Sequence, residues 1–154
     1  MFRFLMIATL LCGGFCARNA WAQPDCDDWP GFDFFESATA ADVKECLVAG
    51  VDINARDRGS WSALHWAVLD SHAETVALLI ESGAEVNVST EDGLTPLHVA
   101  AAFGAAETVA TLIKAGANTR ALDNDGRLPA DLAEDNDKVK NHDMFRILDA
   151  TRRE

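Results

Sequence analysis

Between Asp92 and Asn118 the apolar positions follow a helical period twice, with one break between the two stretches. In the second stretch Val109, Leu112 and Ile113 fall at i, i+3 and i+4, which lays them along one face of a helix. The first is marked by its ends. Thr95 can accept from a free backbone N–H, Pro96 suits the first helical position, where the missing N–H has no partner to lose, and Gly104 can stop the helix. Gly116 is placed to take the left-handed conformation that closes the second helix. These signals predict a helix–turn–helix unit.

The unit recurs with a period of 33 residues. Leu97-His98-x-Ala100 lies over Leu64-His65-x-Ala67, Val109, Leu112 and Ile113 over Val76, Leu79 and Ile80, and Gly50, Gly83 and Gly116 share a column. The tetrapeptide Thr95-Pro96-Leu97-His98, the weaker Ser62-Ala63-Leu64-His65 and the Gly-Ala-x-x-Asn type of ending resemble the ankyrin repeat, from about residue 30 onward. The resemblance implies an all-α solenoid of about four helix–turn–helix units with hairpin loops. Residues 27–57 would be a degenerate N-cap repeat, 58–90 and 91–123 full repeats, and 124–154 a C-cap repeat. Helices of about 8–10 residues are too short to be stable alone, so such a fold exists only by stacking.

The repeats depart from the pattern in places. In the first, Trp29, Phe32, Phe34 and Phe35 suggest aromatic filling of a short helix at the end of the stack. In the second, Ser60 stands where the family has its turn glycine and Gly59 comes one residue early, so the hairpin is expected to be reshaped; Trp66 is expected to pack between helices. The last repeat replaces the histidine by Asp131 and the threonine by Leu128, and its loop around 134–141 is about three residues longer. The closing helix should carry Met144, Phe145, Ile147 and Leu148 inside and Arg146, Arg152 and Arg153 outside.

Ahead of the repeats, residues 1–22 show Arg3, an apolar run of 12 residues from Phe4 to Phe15, and Ala20-Trp21-Ala22, the three parts of a secretory signal peptide cleaved after Ala22. A helix spanning a bilayer needs ~20 apolar residues, so export is expected rather than anchoring, with the periplasm as the destination in a Gram-negative source. Removing the leader lowers Lys+Arg from 13 to 11 against 25 Asp+Glu, for a formal charge of −14. That sign disfavours nucleic acid and anionic lipid as partners. Of the four cysteines only Cys26 and Cys46 then remain, and in an oxidising compartment they should form a disulfide.

The resemblance implies a protein-binding module without chemistry of its own, monomeric, with no cofactor. Its variable columns fall on Arg58, Trp61 and Asp70, on Glu91, Asp92, Leu94 and Phe103, and on Asn124 and Arg127. Trp61, Leu94 and Phe103 are expected to form an apolar centre with an acidic rim, since interface hot spots favour aromatics ringed by polar groups. The partner protein is not named by the sequence. An alternative is a ligand- or metal-responsive envelope accessory protein using the acidic loops. No C-x-x-C or H-E-x-x-H spacing appears. An EF-hand frame on Asp123-Asn124-Asp125-Gly126 would put Ala121 and Leu132 at ligand positions, so these aspartates are expected to form turns. His65 and His98 stand in the T-P-L-H column, and the resemblance implies that they are structural.

Overall fold

The computed structural model describes residues 26–70 and 72–152, with side chains to residue 150. The leader at 1–22 and the side chains of Arg152 and Arg153 lie outside the described residues. Helices α1 (Phe32–Ser37) and α2 (Ala40–Ala49) form the first pair, α3 (Ala63–Leu69) and α4 (Ala73–Glu81) the second, and α5 (Pro96–Phe103) and α6 (Ala106–Lys114) the third. The last unit has α7 (Pro129–Ala133), α8 (Asp137–Lys140) and α9 (Asp143–Arg152). Among the described residues there is no strand, only an isolated antiparallel bridge between Arg56 and Ser62, and no helix is long and apolar enough to cross a membrane.

The fold is set by stacking of equivalent helices. α3 packs on α5 and α5 on α7, while α2, α4 and α6 follow one another in a second layer. Between the layers Leu64, Leu79, Leu97, Val99, Leu112 and Val109 are excluded from water. These are the positions of the helical pattern, and burying each such side chain contributes about 1.5–3 kcal/mol.

Capping in the inner helices runs both ways. The Nδ1 atom of His98 accepts from the backbone N–H of Thr95 at 3.1 Å and lies 2.9 Å from its hydroxyl. His65 does the same with Ser62, at 3.2 and 2.9 Å. In the last unit the carboxylate of Asp131 takes over, accepting from the N–H of Leu128 at 2.7 Å.

The first unit is held by its aromatics and a cross-link. Trp29 packs edge-on against Phe34 at 5.4 Å between ring centroids, Phe34 and Phe35 are buried, and the Trp29 indole donates to the Asp52 carbonyl at 2.9 Å. Phe32 does not join this filling and stays 45% exposed. A disulfide joins Cys26, in a single 3₁₀ turn at Cys26–Asp28, to Cys46, wholly buried in α2. It closes a loop 20 residues apart in sequence.

Two expectations for the last unit are corrected. The longer connection contains α8, which Asn136 caps by accepting from the Lys138 N–H at 3.0 Å. The side-chain amide of Asn136 also donates to the carbonyls of Ala101 and Gly104 at 3.0 and 3.1 Å, tying the insertion to the end of α5. In α9, Leu148 is fully buried and Met144 and Phe145 are partly so, whereas Ile147 is 43% exposed. At 100° per residue the three inward side chains span one face, and Ile147 falls beside it.

Candidate functional site

The hairpins that precede each inner helix are built alike. Asp57 Oδ1 accepts from the N–H groups of Gly59 and Trp61 at 2.8 and 2.9 Å, and Asp123 Oδ1 accepts from those of Asp125 and Arg127 at 3.0 and 2.8 Å. Between them Thr90 supplies a hydroxyl to the N–H of Leu94 at 3.2 Å. Each tip then turns through a left-handed residue, Ser60 at φ 61°, Gly93 at 79° and Gly126 at 76°. The hairpin at Ser60 is therefore not reshaped. The serine takes the glycine conformation, because the flanking bonds are those of the other two tips: Asp57 N–H to Trp61 O, Thr90 N–H to Leu94 O and Asp123 N–H to Arg127 O.

Successive hairpins are also bonded to one another. Glu91 N–H donates to the Gly59 carbonyl and Asn124 N–H to that of Asp92, while the Asn124 amide reaches the Glu91 carbonyl at 2.8 Å. At the other end of each unit Asn54 Oδ1 accepts from Glu85 N–H at 2.9 Å and Asn87 Oδ1 from Asn118 N–H at 2.7 Å. Histidines complete the ties: Nε2 of His65 bonds the carbonyl of Leu94 at 3.0 Å, and Nε2 of His98 that of Arg127 at 3.1 Å. Because each Nδ1 faces a backbone donor, the proton sits on Nε2 and both rings are neutral. Burial pushes the His65 pKa down to about 4, against the raising effect of its Leu94 bond, and burial lowers that of His98 as well.

On this scaffold the expected contact residues fall into two groups. Arg58, Asp70, Glu91, Asp92, Phe103, Asn124 and Arg127 are exposed, with Phe103 at 61%, and Trp61 and Leu94 are half-buried against the core. Several are engaged within the molecule. Arg127 pairs with Asp123 at 2.8 Å and Asp125 at 3.0 Å, and the Asn124 amide is held by Glu91. Burial opposes ionisation of Asp123, but hydrogen bonds from the Arg127 backbone and guanidinium outweigh it and hold its carboxyl below the usual range.

Trp61, Leu94 and Phe103 do not lie at one end of the inner helices. Trp61 and Leu94 are in the hairpin column ahead of α3 and α5, and Phe103 is the last residue of α5, roughly 12 Å away at 1.5 Å per residue. The aromatic group that does form was not foreseen. The indoles of Trp61 and Trp66 stack at 4.4 Å and 27°, Phe32 meets Trp66 edge-on at 5.4 Å, and Trp61 covers His65 at 5.5 Å. Trp66 does pack between α1 and α3, as expected, yet it stays half-exposed, and its Nε1 is buried without a hydrogen-bond acceptor. Among the described residues no three side chains of His, Cys, Asp or Glu gather as metal ligands would.

No curated protein matches the chain in sequence. A family model described as ankyrin repeats in three copies matches residues 36–123 and again 78–148, which together span well over half of the chain. That match covers the region where the helix pairs, hairpin tips and inter-repeat histidines recur. Repeats of this kind serve generally as protein–protein interaction modules, and the chain belongs to the ankyrin-repeat family.

Proposed function

We propose that the protein is a non-catalytic binding module of the cell envelope that holds a partner protein on its concave face and hairpin loops. The observation that carries this reading is the pairing of a rigid frame with a varied surface. Backbone groups and the histidine, asparagine and aspartate side chains are consumed in holding the repeats together, while Arg58, Glu91 and Asp92 are exposed on the hairpins and Asp70 and Phe103 at the far ends of α3 and α5. Loops displayed by a fixed scaffold are where binding is concentrated.

Residues 1–22 supply the export signal in this reading, and residues 23–154 form one repeat domain, monomeric, that works in the periplasm or outside the cell. The disulfide supports export, because such bonds persist in oxidising compartments. Mass spectrometry of the protein purified from its own source would give a mature N terminus at Gln23; an N terminus at Met1 in a cytosolic fraction would remove the envelope from the proposal. The acidic loops give less support to a metal-responsive protein, since Asp123 is already committed to turn N–H groups and to Arg127.

The test is crosslinking and affinity capture from envelope extract, with the full chain tagged at its C terminus as bait. A variant carrying Trp61→Ala, Leu94→Ala and Phe103→Ala, shown by circular dichroism to be folded, runs beside it. A protein retained by the native bait and lost from the variant supports a binding module with its site on this face. Retention by both keeps the module and moves the site; retention by neither removes the module reading.

A further inference from the structure

Resting on the reading of the molecule as a binding module, we propose that the aromatic face of Trp61, Trp66 and Phe32 receives an arginine side chain from a basic segment of the partner protein. Trp61 and Trp66 are stacked, both remain partly open to solvent, and Phe32 is 45% exposed, so the first two repeats present a continuous aromatic surface here. An indole face carries negative electrostatic potential and attracts a cation lying over it, more strongly than other aromatic rings do.

The charges around the face select the same occupant. Glu36 lies one helical turn from Phe32 on α1, Asp70 one turn from Trp66 at the end of α3, Asp57 accepts from the Trp61 N–H at 2.9 Å, and the Glu91 N–H on the next hairpin donates to the Gly59 carbonyl. Two cations oppose them at this hairpin, Arg56, whose guanidinium donates to the Ser89 carbonyl at 3.4 Å, and Arg58, so the carboxylates outnumber the bases. A formal charge of −14 without the leader, −12 with it, draws a basic segment in from a distance, and the local carboxylates keep it there. Between the two basic side chains, arginine fits better: its planar guanidinium is weakly hydrated and stacks on aromatic faces, whereas the lysine ammonium holds its water as a compact charge.

The experiment is titration of the full chain with four capped eight-residue peptides alternating glycine with arginine, lysine, citrulline or leucine, read by tryptophan fluorescence and calorimetry at about 0.15 M salt, where longer-range attraction is screened. The arginine peptide should bind saturably, at least threefold tighter than lysine, with citrulline and leucine weaker by tenfold or more. Trp61→Leu, which keeps apolar volume but removes the indole, and Phe32→Ala at the exposed edge should each weaken the arginine peptide by threefold or more while circular dichroism stays native. Equal affinity for citrulline, a preference for leucine, or unchanged binding in both variants would overturn the inference. So would no binding of any peptide. That result leaves the binding module itself standing if envelope capture still yields a partner lost from the triple variant, so the two ideas fail separately.

Discussion

His65 reaches from one repeat into the next, its Nε2–H donating to the carbonyl of Leu94 at 3.0 Å while its Nδ1 accepts from the N–H of Ser62 at 3.2 Å. One neutral imidazole thus closes a helix end and pins the following hairpin, and a proton added to Nδ1 breaks its bond with the Ser62 N–H.

Acid should therefore loosen the stack before ordinary carboxylates titrate. The folded pKa of His65 lies at about 4, below the usual histidine value of 6.5, so below pH 6.5 the unfolded chain binds a proton that the folded chain refuses. The stabilisation is whole above pH 6.5 and is lost as pH falls toward 4, at ~1.4 kcal/mol per pH unit. His98 is shifted in the same direction and adds to the slope. Urea unfolding at pH 7, 5.5 and 4.5 should show falling midpoints, and His98→Asn should make the fall shallower. A midpoint constant over this range contradicts the assignment of neutral buried rings.

The hairpin column of Ser60 and Gly93 gives a pair of opposite effects. Ser60→Gly relieves a side chain held at φ 61° and should raise stability by roughly 0.5–1 kcal/mol. Gly93→Ala should cost about 2–4 kcal/mol, because a Cβ there would lie 2.7 Å from Asn124 Oδ1 and 2.9 Å from its backbone N, on top of the left-handed penalty. Gly83→Ala is the control: at φ 98° with no atom within 4 Å, it should cost only about 1 kcal/mol. Thermal unfolding should place Ser60→Gly highest, Gly83→Ala next and Gly93→Ala lowest.

Cutting the cross-link should act at one end. Cys26→Ser opens a loop spanning 20 residues and should lower stability by about 3 kcal/mol. Hydrogen exchange should quicken in α1 and α2 and change little in α9, because each unit of a stacked array touches only its neighbours.

Asn136 offers a test of the insertion in the last unit. Asn136→Ala removes the donor from the carbonyls of Ala101 and Gly104 and the cap from α8, and should cost about 2 kcal/mol in denaturant unfolding. A loss below 0.5 kcal/mol would mean that water serves those carbonyls equally well.

The repeat itself was legible in the sequence because its signals are local. Helix ends at Thr95, Pro96 and Gly104 and apolar spacing from Val76 to Ile80 follow from residue type at fixed separation; the structural histidines came from the resemblance to the ankyrin repeat, and the pairing of Cys26 with Cys46 from the two cysteines left once the leader is removed. What escaped depends on neighbours distant in sequence. Ser60 gives no sign that stacked hairpins force it left-handed, and Asp137–Lys140 is too short for any helical period to appear. The Trp61–Trp66 stack joins a hairpin residue to a helix residue five positions on, and Phe32 enters it from another repeat, so no spacing rule brings the three together. That Phe103 stands at the far end of its helix from the hairpin column was equally hidden, since surface exposure says nothing about which end of a helix a residue occupies.

The histidine bonds also give the array a direction of growth. His65 hands a donor forward to Leu94 and His98 hands one to Arg127, but Asp131, in the same column, is a carboxylate that accepts from the Leu128 N–H and carries no proton to pass on. A duplicate of residues 91–123 spliced in before Asn124 would find an acceptor ahead of it and a donor behind it. The same duplicate appended after the closing helix would find neither. The array can be lengthened from within, and the run of forward-donated bonds stops where aspartate takes the place of histidine.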